Sequence, residues 1–258
     1  MKILCIGDVF CRTGRDMLFK YVQELKYQKS IDFVIANGEN ASHGRGLSRA
    51  AYDELTRAGV EGITLGNHTW NVREIADIMK YEGNVIRPAN FNSECPGSGS
   101  MVLSASNGAK VGVINIIGRT YMEPADSPFE AAEREIENLK GKTNIILVDF
   151  HAEATSEKEA MGHFLDGRVS AVFGTHTHVQ TADNKILPRG TGYISDLGMT
   201  GPDISVLGLN PHSIIKRFTN GMPQKFELAN GKGRFCGCIF DIDENGKCTD
   251  TERIYITE

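Results

Sequence analysis

Apolar residues in this chain come in short continuous runs, and each run stops at polar chemistry. Ile3-Leu4-Cys5-Ile6 ends at Gly7-Asp8, Phe33-Val34-Ile35-Ala36 at Asn37-Gly38-Glu39-Asn40, and Gly62-Ile63-Thr64-Leu65 at Gly66-Asn67-His68. Two further runs, Ile145 to Phe150 and Val169 to Phe173, end at His151 and at Gly174-Thr175-His176-Thr177-His178. Runs of this length, bounded by glycine and polar residues, are the pattern of strands buried on both faces. Between them the spacing lengthens to a helical one. Leu18, Tyr21, Val22 and Leu25 recur at i, i+3, i+4, i+7, as do Val72, Ile75, Ala76 and Met79, with a looser set at Ala51, Leu55 and Ala58. This alternation predicts a mainly parallel sheet covered on both faces, with functional residues on loops beyond the strands' carboxyl ends. Asp8, Glu39, Asn40, Asn67 and His68 then share one edge.

From about residue 100 the texture changes. Met101-Val102-Leu103 and Val111 to Ile117 are consecutive strands joined by Asn107-Gly108, a hairpin signal. A helix carrying Phe129, Ala132, Ile136 and Leu139 follows, and another is predicted over about 156–166. After residue 187 the chain reads largely as β, apart from a helix start near Asn210-Pro211-His212. With no linker, repeat or low-complexity segment, residues 1–258 are expected to form one domain. Two packed mixed sheets with helices outside, a four-layer α/β/β/α sandwich, accommodate both halves.

The apolar and charged fractions, 40% and 24% of 258 residues, are those of an ordinary globular protein and exclude disorder. With 28 Lys plus Arg against 33 Asp plus Glu, the net charge is −5, and no dense basic run is present to track a polynucleotide backbone. The apolar stretch at the amino terminus is too short for a signal peptide and no run approaches a membrane span, so a cytoplasmic protein is expected. The six cysteines, at 5, 11, 95, 236, 238 and 248, include no CxxC pair and read as reduced thiols. Cys236-Gly237-Cys238 is a metal-site candidate by composition, but Phe235, Ile239 and Phe240 around it indicate a strand with cysteine as a small apolar filler.

The strand ends supply one Asp, one Glu, two Asn and three His, besides His68. Two-metal hydrolysis needs cations about 3.5–4 Å apart and enough donors to hold both, and this count suffices. Imidazole with carboxylate oxygen favours Fe, Mn or Zn over Ca or Mg. The His176-x-His178 pair directs two ligands at one small volume, either from one face of extended backbone or flared apart on a tight turn.

Taken in order, Gly7-Asp8, Gly38-Glu39-Asn40, Gly66-Asn67-His68, His151 and Thr175-His176-Thr177-His178 resemble the motif blocks of the calcineurin-like metallophosphoesterases. Three positions depart from them. Phe10 stands where a His ligand is usual, Glu39 replaces the bridging Asp, and Thr69 follows Asn67-His68 in place of an acidic residue. Those departures, with Arg87-Pro88-Ala89-Asn90 and Asp196-Leu197-Gly198-Met199-Thr200-Gly201-Pro202, resemble the YmdB-like branch over essentially the full length. The resemblance implies the metallophosphoesterase sandwich and a phosphodiesterase of small cyclic nucleotides, notably 2′,3′-cyclic ones. It implies two transition-metal ions, Fe first and Mn or Zn otherwise. Asp8, Asn40 and His178 would hold one, Asn67, His151 and His176 the other, with Glu39 bridging. Attack would come from hydroxide held between the metals, with His68 protonating the departing ribose oxygen. A homo-oligomer is the default expectation.

Two other functions fit the same residues. A phosphomonoesterase or nucleotidase would use the same metals and His68, and a non-catalytic nucleotide-binding regulator would need no proton donor. Taken singly, Asp8 is also what many nucleotide-binding and phosphotransfer α/β folds show after a first strand, Asn40 and Asn67 also read as helix caps, and His151 as a core histidine. His43, in the glycine-rich loop Ser42-His43-Gly44-Arg45-Gly46 after Asn40, reads either as a residue placed to approach a phosphate or as part of an exposed loop. Arg119, His163 and His212 read as surface residues. Trp70 and Tyr121 offer stacking faces, although aromatic residues near a core more often only pack.

Overall fold

The computed structural model describes residues 1–258. Its strands are β1 (Lys2–Ile6), β2 (Asp8–Val9), β3 (Phe33–Asn37), β4 (Gly62–Thr64), β5 (Ser100–Ser104), β6 (Lys110–Ile117), β7 (Ile145–His151), β8 (Ala171–Thr175), β9 (Lys185–Ile186), β10 (Gly192–Ile194), β11 (Met199–Pro202), β12 (Gly233–Ile242) and β13 (Cys248–Thr257). The helices are α1 (Cys11–Lys29), α2 (Arg49–Ala58), α3 (Ile75–Tyr81), α4 (Pro128–Leu139), α5 (Thr155–Leu165) and α6 (Pro211–Asn220). One sheet runs β2-β11-β12-β1-β3-β4, with β13 beside β12; the other runs β5-β6-β7-β8-β10-β9. Both are mixed. β1, β3 and β4 are parallel, as are β6, β7, β8 and β10; β12 runs antiparallel within the first sheet, between β11 and β1, and antiparallel β5 and β9 edge the second.

Strand periodicity sorts the apolar residues into three cores. Leu4, Ile6, Val34 and Ala36 pack with Leu18, Val22, Leu55 and Ile78 from α1, α2 and α3. Their alternating neighbours Ile3, Cys5, Phe33 and Ile35 meet Val111, Val113, Leu147 and Phe173 of the second sheet. On that sheet's far side Ile114, Ile116, Val148 and Phe150 meet Ala132, Leu139, Met161 and Leu165 of α4 and α5. Three apolar interfaces separate four layers, the α/β/β/α sandwich expected. No helix is long and apolar enough to cross a membrane.

One boundary differs. Val72 shares a helical period with Ile75 and Met79, yet its backbone is extended (φ −121°, ψ 126°) and α3 begins at Ile75. The residues before it form a short 3₁₀ turn, Thr69–Asn71, pinned by the Thr69 hydroxyl on the Gly66 carbonyl at 2.6 Å.

Candidate metal centre

Each interior strand presents alternate residues to the space between the sheets, and toward the carboxyl ends those residues change from apolar to polar. On β7 the series is Ile145, Leu147, Asp149, His151; on β3 it is Phe33, Ile35, Asn37; on β8 it is Ala171, Phe173, Thr175. Since β3 and β4 are parallel neighbours in one sheet and β7 and β8 in the other, these polar ends gather at one place. All seven donors expected from sequence lie there. Asp8, Glu39, Asn40, His151 and His178 are buried, and Asn67 and His176 half-buried.

Three groups converge on His151 Nε2: Glu39 Oε1 at 3.0 Å, Asn67 Oδ1 at 2.9 Å and His176 Nδ1 at 3.1 Å. His178 turns away from its sequence partner, placing Nε2 3.7 Å from Asp8 Oδ1. The two imidazoles therefore flare apart on a turn. The backbone of both is left-handed, φ 99° at His176 and 64° at His178, a conformation that non-glycine residues rarely adopt. A Cβ on Gly66 would run into the His151 ring and the Glu39 carboxylate, so glycine is what lets the Gly-Asn-His loop close on the site.

Each imidazole has one nitrogen in the site and the other anchored outside it. His151 Nδ1 meets Thr175 Oγ1 at 2.9 Å, His176 Nε2 meets Glu153 Oε2 at 3.2 Å, and His178 Nδ1 donates to the Leu207 carbonyl at 3.2 Å. This is how metal-binding histidines are oriented elsewhere. The oxygens behave in parallel. Asn40 donates its amide to the Gly44 carbonyl (3.0 Å), and Asp8 Oδ2 accepts the His176 backbone N–H (3.1 Å). That leaves Asp8 Oδ1 and Asn40 Oδ1 buried without a hydrogen-bond partner. Such orphaned acceptors are rare in folded proteins because each forfeits its hydration. Oxygen atoms of this kind, beside imidazole nitrogens and a shared carboxylate, form a donor set that fits divalent transition metals. Glu39, His151 and His176 already bring their ligand atoms within 4.8 Å of one another.

Charges in the cluster are strongly coupled. Burial alone would raise the Glu39 carboxyl, but the facing His151 imidazolium outweighs it and holds Glu39 down to about 2. Reciprocally, burial disfavours charge on His151, and Glu39 reverses this, lifting it to about 9. Burial, and then the His151 charge, push His176 down to about 3. Burial also carries Asp8 well above the carboxylate range and lowers His178.

Several residues to which sequence reading assigned no role hold this arrangement. Asp149, within an apolar run, accepts from Thr175 Oγ1 at 2.7 Å, from Asn37 Nδ2 at 3.2 Å and from the Thr64 hydroxyl, so it ties one sheet to the other behind His151. Lys158 on α5 donates to the Thr175 carbonyl at 2.9 Å and to Asp196 Oδ2 at 2.6 Å. Asp196 in turn accepts from Thr177 N (3.1 Å), Thr177 Oγ1 (2.7 Å) and Gly198 N (2.8 Å). This buried ion pair clamps the strained His-Thr-His turn from below. The orienting partner of His68 is Asn71, whose Oδ1 lies 3.1 Å from Nδ1, while the His68 backbone N–H donates to Glu39 Oε2 at 2.7 Å. His68 is half-buried and lines a cavity of about 500 Å3 that also receives Glu39, Asn40, His176 and His178. His43 and Arg45 line it too. Arg119, Tyr121, His163 and His212 are exposed outside it, and Cys236 and Cys238 are buried strand residues, with Cys236 pushed by burial up to about 12.

Similarity to known proteins follows the same residues. The YmdB-like protein family model matches residues 4–254. The chain is 49% identical to the 2′,3′-cyclic-nucleotide 2′-phosphodiesterase of Bacillus subtilis, over 100% of this chain and 98% of that one. A crystal structure of a hypothetical protein from Thermus thermophilus superposes with a TM-score of 0.93 at 41% identity, covering 100% of both chains. That of a novel phosphatase from Mycoplasma pneumoniae superposes at 0.92 and 38% identity, covering 100% of this chain and 93% of that one. A buried donor cluster at converging strand ends and full-length similarity lead to one conclusion: the chain belongs to the YmdB-like family.

Proposed function

We propose that this chain is a metal-dependent phosphodiesterase that hydrolyses small cyclic nucleotides of the 2′,3′ type. Asp8, Asn40 and His178 would hold one cation, Asn67, His151 and His176 the other, with Glu39 shared; iron is the first choice, manganese or zinc the next. The observation that carries this reading is the pair of orphaned buried oxygens, Asp8 Oδ1 and Asn40 Oδ1, facing anchored imidazoles. When bound, the cations would acidify water and offset charge on the phosphoryl oxygens.

The chain's own residues supply the rest. Hydrolysis adds water across a P–O bond, and the ribose oxygen leaves well only if it takes a proton. His68 is the proposed donor. Its Nδ1 is engaged by Asn71, which leaves Nε2 to carry and give up that proton, and its backbone bond to Glu39 fixes it against the shared carboxylate. The Bacillus subtilis relative is named for rupture of the 2′ ester, and we infer the same bond here: the 2′-oxygen receives the proton and a 3′-phosphate remains. Six unpaired cysteines support a reducing, cytoplasmic setting.

Metal-loaded protein is expected to turn over 2′,3′-cyclic AMP faster than nitrophenyl monoesters. The opposite ranking would replace this reading with a phosphomonoesterase. Glu39→Gln is expected to lose both bound metal and turnover; two metals per chain in that variant would remove Glu39 from the shared position.

A further inference from the structure

Beyond Asn67 the metal-facing cavity gives way to a separate cleft of about 440 Å3, a size that suits a nucleoside. Its near wall is Trp70, two residues after His68 on the pinned 3₁₀ turn, and 41% of that indole is exposed. Phe91 packs beside it as a tilted aromatic pair, the ring centroids 6.1 Å apart and the planes inclined by 38°. The far wall carries the carboxylates Glu123 and Asp126, and no Lys or Arg lines the cleft. The walls are prebuilt. Asn90, 1% exposed, donates to the carbonyls of Ile117 (2.8 Å) and Asp126 (3.0 Å) and accepts from the Ile117 N–H (2.9 Å), locking the Phe91 loop to the loop bearing the carboxylates.

We propose that this cleft is the base subsite: Trp70 stacks the nucleobase of a cyclic nucleotide, and Glu123 and Asp126 accept hydrogen bonds from its ring or exocyclic N–H groups. The inference rests on the phosphodiesterase reading above and adds what selects the substrate. Charge sets the orientation. An acidic cleft without a cation repels phosphate and accepts N–H donors, whereas His43 and Arg45 stand on the side of the metal cavity. Surface chemistry agrees with charge. The alternative wall for a base, in the metal cavity, is built from Leu207, Leu209 and Leu228 with two phenyl rings, that of Phe226, which is exposed, and that of Phe10, which is buried. An indole offers a flat face two residues from the proton donor, and stacking of this kind tolerates every base.

The test compares 2′,3′-cyclic AMP with glycerol 1,2-cyclic phosphate, a five-membered cyclic diester that lacks a base, on metal-loaded full-length protein. Trp70→Ala is expected to lower kcat/KM for the nucleotide about tenfold more than for the glycerol ester, mainly through KM, with Trp70→Phe recovering most of the difference. Equal losses on both substrates, or no loss on either, would overturn the subsite. So would a selective loss in Phe226→Ala with none in Trp70→Ala, which would move the base to the leucine-lined wall. If unmodified protein hydrolyses the glycerol ester but ignores cyclic nucleotides, it is a phosphodiesterase whose substrate is not a cyclic nucleotide, and that part of the proposed function fails before any variant is compared.

Discussion

At the scale of single residues, two side chains let the chemistry be separated from the metal. His68 contacts the cavity through an imidazole that none of the clustered donors uses, so His68→Ala is expected to keep its metal. Turnover of a ribose cyclic ester should fall about 10²–10⁴-fold, the usual worth of a positioned proton donor. A nitrophenyl diester leaves as a stabilised phenolate and should lose far less; equal losses on both substrates would rule out leaving-group protonation. Metal uptake supplies the second prediction. In chelator-treated protein His151 stays protonated to about 9 because it faces Glu39, and burial keeps Asp8 protonated well above the carboxylate range. A cation binds their deprotonated forms, so loading at pH 7 must release protons. The sign follows: affinity for Mn²⁺ should rise with pH from 7 toward 9 and then level off. Calorimetric titrations in two buffers of different ionisation enthalpy would count the released protons, and a pH-independent affinity would contradict the coupling.

At the scale of elements, most of what positions the site was legible in the sequence, because strand ends announce themselves locally. Apolar runs closing on Gly-Asp, Gly-Glu-Asn, Gly-Asn-His, Phe-His and His-Thr-His pointed to the seven proposed donors, which the fold gathers at one place, and to the order of the layers. What was not legible depends on which strands lie side by side. Asp149 sits in an apolar run and looks like a tolerated polar residue; its role exists only because β7 faces Thr64 and Asn37 of the other sheet. Asn71 and Lys158 are likewise defined by the turn of one element and the docking of another. Val72 misled through a helical spacing that the pinned turn before α3 overrides. The Lys158–Asp196 pair is the sharpest case. Left-handed backbone at His176 and His178 costs about 1–3 kcal/mol each, and the clamp beneath the turn offsets it. Lys158→Met strands Asp196 as an uncompensated buried charge, so a loss of about 3–5 kcal/mol is expected in urea unfolding. Metal affinity should weaken with it, since both histidines lose their fixed turn. A destabilised variant that still binds two metals with unchanged affinity would show that the clamp serves the fold and not the site.

At the scale of the whole molecule, the site lies where the two sheets stop being held together by hydrocarbon. Deeper in, Phe33 and Ile35 meet Leu147 and Phe173; at the carboxyl ends the same interface consists of Asn37, Asp149, His151 and Thr175. The proposed donors come from both sides of it, Asp8, Glu39, Asn40 and Asn67 from the first sheet's strand ends and His151, His176 and His178 from the second's. Cations held there would join the sheets at the point where apolar packing no longer does. We therefore propose that residues 1–258 form a single cooperative unit that metal binding tightens as a whole. A ligand that binds only the folded state at about 100 times its Kd adds about 2.7 kcal/mol. For a chain of this size that raises Tm by very roughly 2–4 °C per kcal/mol, in one transition. Amide exchange gives the spatial test: on adding Mn²⁺ to chelator-stripped protein, the carboxyl-end amides of β3 and of β7 should gain protection together, because opening either sheet now breaks a shared site. Protection confined to one sheet, or a second melting transition appearing on loading, would mean that the cations organise only the half of the molecule on which they sit.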